Sequence, residues 1–361
     1  MTQVKEIFPF FDTRCEYTGD EEIISGHINR TYRVDTKQGR RFILQKMNTY
    51  VFPRADYVME NILLVTGHIR DKARERGADP ERATLHPVRT LAGGYLYEDG
   101  QGGKWRMYRF TEGAVSLQSC DSPEVFRSVG EAFGTFQRDL ADFDAKALHE
   151  TIERFHDTPN RFAALKKAYE TDACQRAAQV EKEYRFVLDR VPHLADITRA
   201  MEEGTIPLRV THNDTKLNNV MVDEKTGRAV CVIDLDTVMP GSALYDFGDA
   251  IRFGASSAAE DETDLEKVFI RTEYFESFLE GFLTGLDGAL TPCEIEMLPR
   301  GAWMMTIEVG IRFLADYLDG DRYFRVEYPQ HNLDRARNQF KLVADLEEKW
   351  DALTDIARRY S

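Results

Sequence analysis

The hydrophobic pattern of this 361-residue chain changes character near residue 111. Before that point, short apolar runs alternate with polar residues and glycine-containing turns, which is typical of half-buried strands. After it, apolar residues recur three and four positions apart over long stretches, which indicates helices. We therefore expect an α+β protein with a small β-rich part over residues 1–111 and a larger, mainly helical part over residues 112–361.

Five strands and one helix are predicted within the first part. The strand candidates are Glu22–Ile24, Thr31–Val34, Arg41–Met47, Thr90–Tyr97 and Gly103–Phe110. The helix candidate is Tyr57–Arg74, in which apolar residues keep helical spacing. Residues 25–29 lie between the first two strands and contain Gly26, which favours a hairpin-like bend.

The second part opens with a helix start signal. Ser122, Pro123 and Glu124 supply a cap, a proline at the first helical position and an early acid. The predicted helices cover Val125–Leu140, Arg161–Val191 and most of Asp264–Tyr360. Between them, Leu208–Asp236 returns to short apolar runs and tight loops, so a small group of strands is expected inside the helical part.

The formal net charge is −15, from 47 basic and 62 acidic residues. Nucleic acids and anionic membranes require a basic protein surface, so neither is expected as a partner. A phosphate-containing small molecule is not excluded, because a few cations or a divalent metal can reverse the electrostatic field inside one site.

Cysteine usage and the N-terminus predict a cytoplasmic protein. The five cysteines are widely spaced and include no C-x-x-C pair, so reduced thiols are expected rather than disulfides or a structural zinc site. The first residues lack a basic segment followed by an apolar one, and no apolar run approaches the roughly 20 residues that span a bilayer. The sequence leaves the oligomeric state open.

A group of polar residues stands out within Leu208–Asp236. An apolar run is followed by Thr211-His212-Asn213-Asp214-Thr215-Lys216-Leu217-Asn218-Asn219. A second apolar run, Ala229–Ile233, ends in Asp234-Leu235-Asp236. Acidic, basic and amide side chains therefore follow two neighbouring strand candidates.

These residue types match the needs of phosphoryl transfer, which requires a base, cations on the phosphate and bridging Mg²⁺. Asp214 is the candidate base or hydroxyl-orienting group, and Lys216 is long enough to reach the transferring phosphate. Asn219 and Asp234 offer one neutral and one charged oxygen, which suits Mg²⁺. The prediction requires Asp214, Asn219 and Asp234 to converge on one metal–phosphate centre, with Asp236 either facing water or supporting this group.

The spacing His212-x-Asp214-x4-Asn219, followed by Ile233-Asp234, resembles the catalytic and metal-binding loops of the aminoglycoside phosphotransferase-like branch of the protein-kinase fold. A longer set of segments resembles the N-acetylhexosamine 1-kinase family, from about residue 20 to about residue 345. Those segments are His27-Ile28-Asn29, Ile43-Leu44-Gln45, Thr211–Asn219, Ile233–Gly241, Asp246–Asp249, Ile251–Gly254 and Arg312–Gly320.

This resemblance implies a protein-kinase-like two-lobe fold, with a small β-rich N-lobe and a larger, mainly helical C-lobe. It implies a kinase that uses ATP and Mg²⁺ to convert N-acetylglucosamine or N-acetylgalactosamine into the sugar 1-phosphate. Asp214 is then the base, and Asp246 resembles the acid that braces the catalytic loop by accepting backbone N–H groups. The implied metal ligands are Asn219 and Asp234, and the implied sugar contacts are His27, Asp214, Phe253, Arg312 and Tyr323.

Nucleotide contacts are less regular, because many relatives place Lys or Arg on the third strand. Here Gln45 takes that position and Lys46 follows it. Adjacent strand residues face opposite sides, so either Gln45 meets the nucleotide or a bulge turns Lys46 inward, where Glu60 is a candidate partner. We favour Gln45. The expected nucleotide contacts are Gln45, Tyr108, Phe110 and Lys216, with adenine near Tyr108–Thr111.

Structural roles compete with several of these assignments. His212 is expected to bond to the backbone rather than to react. Arg312 has Asp316 four residues further on, which is the spacing of an ion pair on a helix. Phe253 and Tyr323 are aromatic, and core packing is the ordinary use of such residues.

Three other functions stay open. The first is a kinase of the same fold acting on homoserine, choline, methylthioribose or an aminoglycoside, and the acidic composition suits a cationic substrate. The second is an inactive nucleotide-binding module, against which the complete set of Asp214, Asn219 and Asp234 argues. The third is a sugar-binding protein without transfer.

Overall fold

The computed structural model describes residues 3–23, 28–117, 120 and 122–361, which form two compact units. The first unit comprises Met1–Ser116, Asp142–Glu153 and Val220–Met239, and the second comprises Leu117–Ala141, Arg154–Asn219 and Pro240–Ser361. The N-terminal region is built on a β-sheet and the C-terminal region is helical, so the predicted α+β class is confirmed. No helix in the described part of the chain is long and apolar enough to cross a membrane.

A five-stranded antiparallel sheet organises the first unit. Its strands are β1 (Tyr17–Ile23), β2 (Arg30–Thr36), β3 (Arg41–Lys46), β4 (Tyr97–Glu98) and β5 (Lys104–Arg109), in the order β1-β2-β3-β5-β4. The prediction of a strand over Thr90–Tyr97 is wrong for most of its length. Gly93 has φ +92°, and the Thr90 and Gly94 backbones bond to each other, so a tight turn interrupts the run.

Side chains alternate between the two faces of this sheet. The face that packs on the short helix α1 (Gln3–Ile7) is apolar and includes Phe42, Leu44, Trp105 and Met107. On the opposite face, Gln45 of β3 lies directly beside Arg106 of β5. The ladder is regular through Lys46, so no bulge reverses these directions.

The first unit also contains one long helix and a second, smaller sheet. The helix α2 runs over Ala55–Glu75, close to the predicted Tyr57–Arg74. The smaller sheet is antiparallel, in the order β6 (Ala114–Ser116), β8 (Val220–Asp223) and β9 (Ala229–Val232). Strands that lie more than a hundred residues apart in sequence are therefore paired within this unit.

Helices dominate the second unit. They are α3 (Pro123–Asp139), α4 (Thr158–Thr171), α5 (Glu181–Leu188), α6 (Asp196–Glu202), α7 (Ala243–Gly254), α8 (Thr272–Leu286), α9 (Pro292–Leu318), α10 (His331–Glu348) and α11 (Trp350–Arg358). The short strands β7 (Arg209–Thr211) and β10 (Met239–Gly241) form a two-stranded ladder. In α9, Trp303, Met304 and Met305 are buried and contribute to the core.

The prediction of one helix over Arg161–Val191 is wrong. Helix α4 ends where Asp172 adopts a left-handed conformation with φ +43°. The Asp172 carboxylate then accepts the backbone N–H groups of Arg176 and Ala177, so the chain makes a turn before α5 begins. Aspartate tolerates this conformation and caps free N–H groups, so a turn is favoured over a continued helix at that point.

Candidate active site

One buried carboxylate holds the loop that follows β7. Asp246, near the start of α7, accepts the backbone N–H groups of His212 at 2.9 Å and Asn213 at 2.7 Å. Gln137 of α3 donates its side-chain amide to the same carboxylate. Burial raises the pKa of Asp246, against the lowering effect of His212 and of these donors. Asp246 therefore has the bracing arrangement that the resemblance implies.

A second acid of α7 extends this support, and the sequence analysis did not identify it. Asp249 lies three residues after Asp246 and accepts the backbone N–H of Thr215 at 3.0 Å. Its other contact is Arg252, whose buried guanidinium also pairs with Glu260 at 2.7 Å. Because residues three apart share one helix face, two acids of α7 can bind successive segments of the loop.

Asp214 lies at the middle of this loop with its side chain 22% exposed. Lys216 Nζ is 2.8 Å from its Oδ1, and Asn219 Nδ2 is 3.2 Å from its Oδ2. Burial alone would raise the pKa of Asp214, but Lys216, together with His212 and Asn219, lowers it below its usual value. The carboxylate is therefore ionised at neutral pH and directed at a cation.

Backbone geometry in the loop is strained in a way that its residue types tolerate. Asn213 has φ +63°, in the left-handed region that asparagine and aspartate adopt more readily than most residues. His212 is fully buried, packs edge-on against Phe133 and Phe136, and accepts the Asp214 N–H on Nδ1. This contact supports the predicted structural role of His212.

Asn219 combines a fixed position with an available acceptor atom. Its amide nitrogen donates to the Asp214 carbonyl at 2.8 Å as well as to the Asp214 carboxylate. The orientation of the amide is thereby fixed, and Oδ1 points away from the two bonds that Nδ2 makes. Asn219 is buried. It ends the 3₁₀ turn Leu217–Asn219, and β8 follows directly.

Asp234 belongs to the first unit and follows β9. It has φ +59°, so it also adopts the left-handed conformation, and it is an exposed residue in a largely buried segment. A single 3₁₀ turn, Leu235–Thr237, comes immediately after it. Strained non-glycine residues of this kind concentrate at functional sites, where the surroundings hold them in place.

Asp236 in that turn is buried, in contrast to Asp234. Its Oδ2 accepts a hydrogen bond from Asn29 at 2.7 Å, and its Oδ1 is 2.5 Å from Nη1 of Arg106. The Arg106 contact is an ion pair rather than an aligned hydrogen bond. Burial shows that the solvent-facing role predicted for Asp236 is wrong, and the supporting role stays a prediction.

Arg106 is the functional candidate that the sequence analysis missed. Its side chain is 1% exposed, and Nε donates to Gln45 Oε1 at 2.9 Å. Burial opposes its charge, but Asp236 and, more weakly, Asp234 raise the pKa of Arg106 above its already high value. One sequence signal could have identified it. Arg106 is a charged residue between Trp105 and Met107, inside a predicted strand.

Of the two residues of β3 considered for nucleotide binding, Gln45 and Lys46 lie on opposite faces of the sheet. Gln45 also donates to Thr31 Oγ1, so it is anchored on both sides. Lys46 lies on the other face of the sheet, 3.8 Å from Asp99 and above the Trp105 ring, so the alternative of an inward Lys46 is wrong. Glu60 pairs instead with His149 at 2.7 Å.

Two further nucleotide candidates lie at the end of β5. Tyr108 is buried, with the Arg106 guanidinium 5.3 Å from its ring centroid. The Phe110 ring lies beneath Arg41 at 4.2 Å. The chain then turns at Glu112 and Gly113 before β6.

The alternative of an ion pair between Arg312 and Asp316 is wrong. Asp316 instead accepts the backbone N–H groups of Arg322, Tyr323 and Phe324, each at 2.8–2.9 Å, because that loop folds back over α9. The Arg312 guanidinium lies 5.7 Å from the Tyr323 ring centroid, among aromatic rings.

The aromatic substrate candidates are not core residues. Phe253 is 44% exposed and Tyr323 is 57% exposed, so the core-packing alternative is wrong for both. His27 lies outside the described residues.

The two predicted metal ligands, one in each unit, have the oxygen types that Mg²⁺ binds. No group of three or more His, Cys, Asp or Glu side chains converges on a common point among residues 3–23, 28–117, 120 and 122–361. Asn219 and Asp234 offer one amide and one carboxylate oxygen, and Mg²⁺ in phosphate-binding sites is commonly held by one or two protein oxygens, phosphate oxygens and water.

Comparison with known proteins agrees with this chemistry. A model of the phosphotransferase enzyme family matches residues 21–283, which is most of the chain. That range includes Gln45, Arg106, Asp214, Asn219 and Asp234, and it ends before Arg312 and Tyr323.

Three solved structures share the fold over nearly their whole length. An aminoglycoside phosphotransferase from Alicyclobacillus acidocaldarius has TM-score 0.59 and 13% identity, with 99% of this chain and 96% of that chain covered. A choline kinase from Cryptosporidium parvum has TM-score 0.56 and 16% identity, with 95% and 92% covered. A spectinomycin phosphotransferase in complex with ADP and spectinomycin has TM-score 0.55 and 12% identity, with 98% and 96% covered. At these identities the similarity shows the fold, which is the protein-kinase-like fold expected from the sequence.

Proposed function

Because this chain belongs to the phosphotransferase enzyme family, we propose that it is an ATP- and Mg²⁺-dependent kinase that phosphorylates the anomeric hydroxyl of an N-acetylhexosamine. The observation that supports this most is the state of Asp214. Its carboxylate is ionised, fixed by Asn219 and paired with Lys216 on a loop that Asp246 and Asp249 hold. A kinase requires such a group to orient an attacking hydroxyl.

In the proposed reaction, Asp214 accepts a hydrogen bond from the C1 hydroxyl and takes its proton late in the transfer. The hydroxyl oxygen attacks the γ-phosphorus, the bond to the β–γ bridging oxygen breaks, and ADP leaves. Lys216, already within 2.8 Å of Asp214, supplies positive charge to the transferring phosphate. An anomeric hydroxyl is more acidic than an ordinary alcohol, which lowers the demand on a carboxylate base of low pKa.

Asn219 and Asp234 are the residues that would hold Mg²⁺, which would supply positive charge to the phosphates. Gln45 and the residues near Tyr108–Thr111 are the proposed contacts for the nucleotide. Asn219 bonds to Asp214 through Nδ2, so its Oδ1 can bind the metal ion.

The surroundings of Arg312 support an acceptor that offers hydroxyl or acetamido oxygens. Burial and the neighbouring Arg312 charge lower the pKa of Arg161, against the raising effect of Glu308, so two guanidinium groups and a buried carboxylate lie near one another in the second unit. Because Asp316 accepts the 322–324 backbone N–H groups, the Arg312 fork can donate to such oxygens.

A kinase for another small alcohol is the second candidate function. It is favoured by the structural similarity to a choline kinase and to two antibiotic phosphotransferases. The residues proposed for ATP and Mg²⁺ would serve such a reaction equally well, so the acceptor is the point on which the two candidates differ.

Release of ADP from Mg-ATP tests the proposal across free sugars, choline, homoserine, methylthioribose and aminoglycosides. We expect turnover with N-acetylglucosamine or N-acetylgalactosamine and a 1-phosphate product by ³¹P NMR. Asp214→Asn should lower kcat by about 10²–10⁴-fold with nucleotide affinity little changed. Asp287→Asn is the matched control, because this residue caps α8 in a left-handed conformation that asparagine tolerates. Turnover of choline or an aminoglycoside but of no sugar would contradict the proposed acceptor.

A further inference from the structure

Arg106 is a buried charge to which the proposed reaction gives no task. Its side chain is 1% exposed on the fifth strand of a sheet whose opposite face forms the apolar core of the first unit. Removing a guanidinium from water is costly, and such a charge persists only with close partners. The partners of Arg106 therefore indicate why it is there.

Those partners lead to the acidic turn after β9. Asp236 receives Arg106 on Oδ1 and Asn29 on Oδ2, and Thr151 donates to the Asp236 carbonyl at 3.1 Å. Both carboxylate oxygens and the backbone of this residue are thus fixed within the first unit. Asp234, two residues earlier, is exposed and held in the left-handed conformation.

The register of the sheet places this cation beside Gln45. Residues paired across antiparallel strands have Cβ atoms about 4.5–5.5 Å apart, and Gln45 and Arg106 are such a pair. Gln45 is neutral, and Lys46 is committed to Asp99 on the other face. At this point of the sheet, the positive charge therefore comes from β5 and not from β3.

We propose that Arg106 is a positioning residue for binding of the Mg²⁺–nucleotide complex, acting through Asp236 on the turn that presents Asp234. This inference rests on the proposed function, since it concerns the metal ligand of that reaction. Arg106 holds Asp236, and Asp236 holds the Leu235–Thr237 turn, so the strained backbone of Asp234 keeps one orientation. The guanidinium also offsets the repulsion between two carboxylates two residues apart, which would otherwise oppose binding of anionic phosphates.

Two variants and one control test this role by nucleotide binding, without turnover. Arg106→Gln removes the cation and leaves Asp236 in place. Asp236→Asn keeps the size of the side chain that Arg106 contacts and removes its charge, so it breaks the same link from the other side. Lys46→Gln is the matched control, because it removes an adjacent cation from the opposite face.

The measurement is the Kd of AMP-PNP by calorimetry, with Mg²⁺ and with EDTA, for variants that show cooperative thermal unfolding. For Arg106→Gln we expect Mg²⁺–AMP-PNP to bind about 10-fold more weakly or worse, with the metal-free Kd changed by less than about 3-fold. Asp236→Asn should show the same selective loss of Mg²⁺–AMP-PNP affinity, and Lys46→Gln should stay within about 2-fold of wild type. A merely structural ion pair would not change the difference between metal-bound and metal-free affinity.

Folded Arg106→Gln that binds Mg²⁺–AMP-PNP as wild type does would overturn the inference. If Arg106→Gln does not fold, Asp236→Asn decides: a folded variant that binds Mg²⁺–AMP-PNP about 10-fold more weakly, with the metal-free Kd little changed, supports the inference, and one that binds as wild type does overturns it. Failure of the wild-type chain to bind AMP-PNP at all would overturn the proposed function together with this inference, whereas wild-type binding with insensitive variants overturns the inference alone.

Discussion

Asp214 and Lys216 form an ion pair in which each residue stabilises the charged form of the other. Lys216 lowers the pKa of Asp214, and Asp214, against the effect of burial, raises the pKa of Lys216. A base of this kind is ionised well below neutral pH, so it remains competent in mildly acidic solution. Its strength as a proton acceptor is correspondingly low, which suits an acidic hydroxyl better than an ordinary one.

Replacing Lys216 with Met should move the acidic limb of the pH profile to higher pH. Loss of the positive charge raises the pKa of Asp214, so a larger fraction of the base is protonated at a given acidic pH. The measurement is kcat/KM for ADP release from mildly acidic to alkaline pH, with each profile scaled to its own maximum. The scaling separates the position of the limb from the overall loss of activity that removal of a phosphate contact also causes.

Lys267→Met provides the control for that experiment, because Lys267 pairs with exposed Asp264 in a surface turn of the same unit. Its profile should coincide with the wild-type profile. An unchanged acidic limb in Lys216→Met would show that another group, and not Asp214, titrates there.

Arg312→Ala should raise the KM for the sugar by about 10-fold or more and leave the KM for ATP nearly constant. The physical reason is that Asp316 does not neutralise this guanidinium, so its hydrogen bonds are available to an acceptor. Steady-state kinetics with each substrate varied in turn gives both constants. Arg322→Ala removes an exposed arginine from the neighbouring loop and should change neither, while equal effects of Arg312→Ala on both KM values would argue against a sugar contact.

At this scale, sequence reasoning succeeded where local spacing carries the information. The printed contacts of the Asp214 carboxylate lie within the segment 212–219, and the outward direction of Lys46 follows from alternation along one strand, whereas the brace from Asp246 was implied by the resemblance. Arg106, Asp236 and Asp249 were missed or left open because their roles depend on partners 34 to 207 residues away. No local pattern states that an arginine on one strand will face an aspartate from another.

Helices α3 and α8 pack so closely that glycines on each meet the backbone of the other. A Cβ built on Gly281 would overlap the carbonyl oxygen of Arg127, and one built on Gly134 would overlap that of Phe282. Gly130 and Gly285 have equivalent contacts, so two pairs of glycines, each spaced by four residues, face each other. Helix α3 also carries Gln137, so this packing positions the donor that reaches Asp246.

Gly281→Ala should lower the free energy of unfolding by about 1–3 kcal/mol, because the added methyl group forces the two helices apart. Gly67→Ala is the matched control, since it lies inside helix α2 with no atom within 4 Å of an added Cβ. There, greater helix propensity should stabilise the protein by about 0.5–1 kcal/mol. Urea unfolding of both variants checks the prediction, and equal stability of Gly281→Ala and wild type would contradict the close packing.

The elements that sequence predicted best are those with a single uninterrupted period. Helix α2 and strands β3 and β5 match their predicted ranges within two residues at each end. The failures at Thr90–Tyr97 and Arg161–Val191 share a cause, since in both a turn with left-handed backbone, at Gly93 and at Asp172, interrupts a favourable pattern. Turn conformation depends on hydrogen bonds that become visible only in three dimensions.

At the scale of the whole molecule, the compact units do not follow the order of the chain. The division of roles into residues 1–111 and 112–361 stays a prediction, while the first unit itself includes Asp142–Glu153 and Val220–Met239. Composition and periodicity along the chain cannot reveal this, because strand β6 takes its partner, β8, from more than a hundred residues downstream. The acidic net charge argued against nucleic acids and anionic membranes as partners. It did not indicate where buried cationic side chains would lie.

The discontinuity of the first unit predicts that residues 1–116 will not fold alone. Arg106 would lose Asp236 and keep an uncompensated buried charge, an arrangement that costs about 3–5 kcal/mol when one partner of a buried pair is removed. Asn61 would lose its acceptors, the carbonyl groups of His149 and Val238, and β6 would lose its neighbour. Circular dichroism should show no cooperative thermal transition for this fragment.

A chain that joins residues 1–116, 142–153 and 220–239 through flexible glycine–serine linkers restores each of those partners and should unfold cooperatively. Exchanging Asp236 for Asn in the joined chain should lower its midpoint, since Arg106 then keeps only neutral partners within hydrogen-bonding reach. Cooperative unfolding of residues 1–116 alone would show that the sheet is stable without the downstream strands. The Arg106–Asp236 pair would then serve the site rather than the fold, because a sheet that folds without Asp236 does not need the arginine to be neutralised.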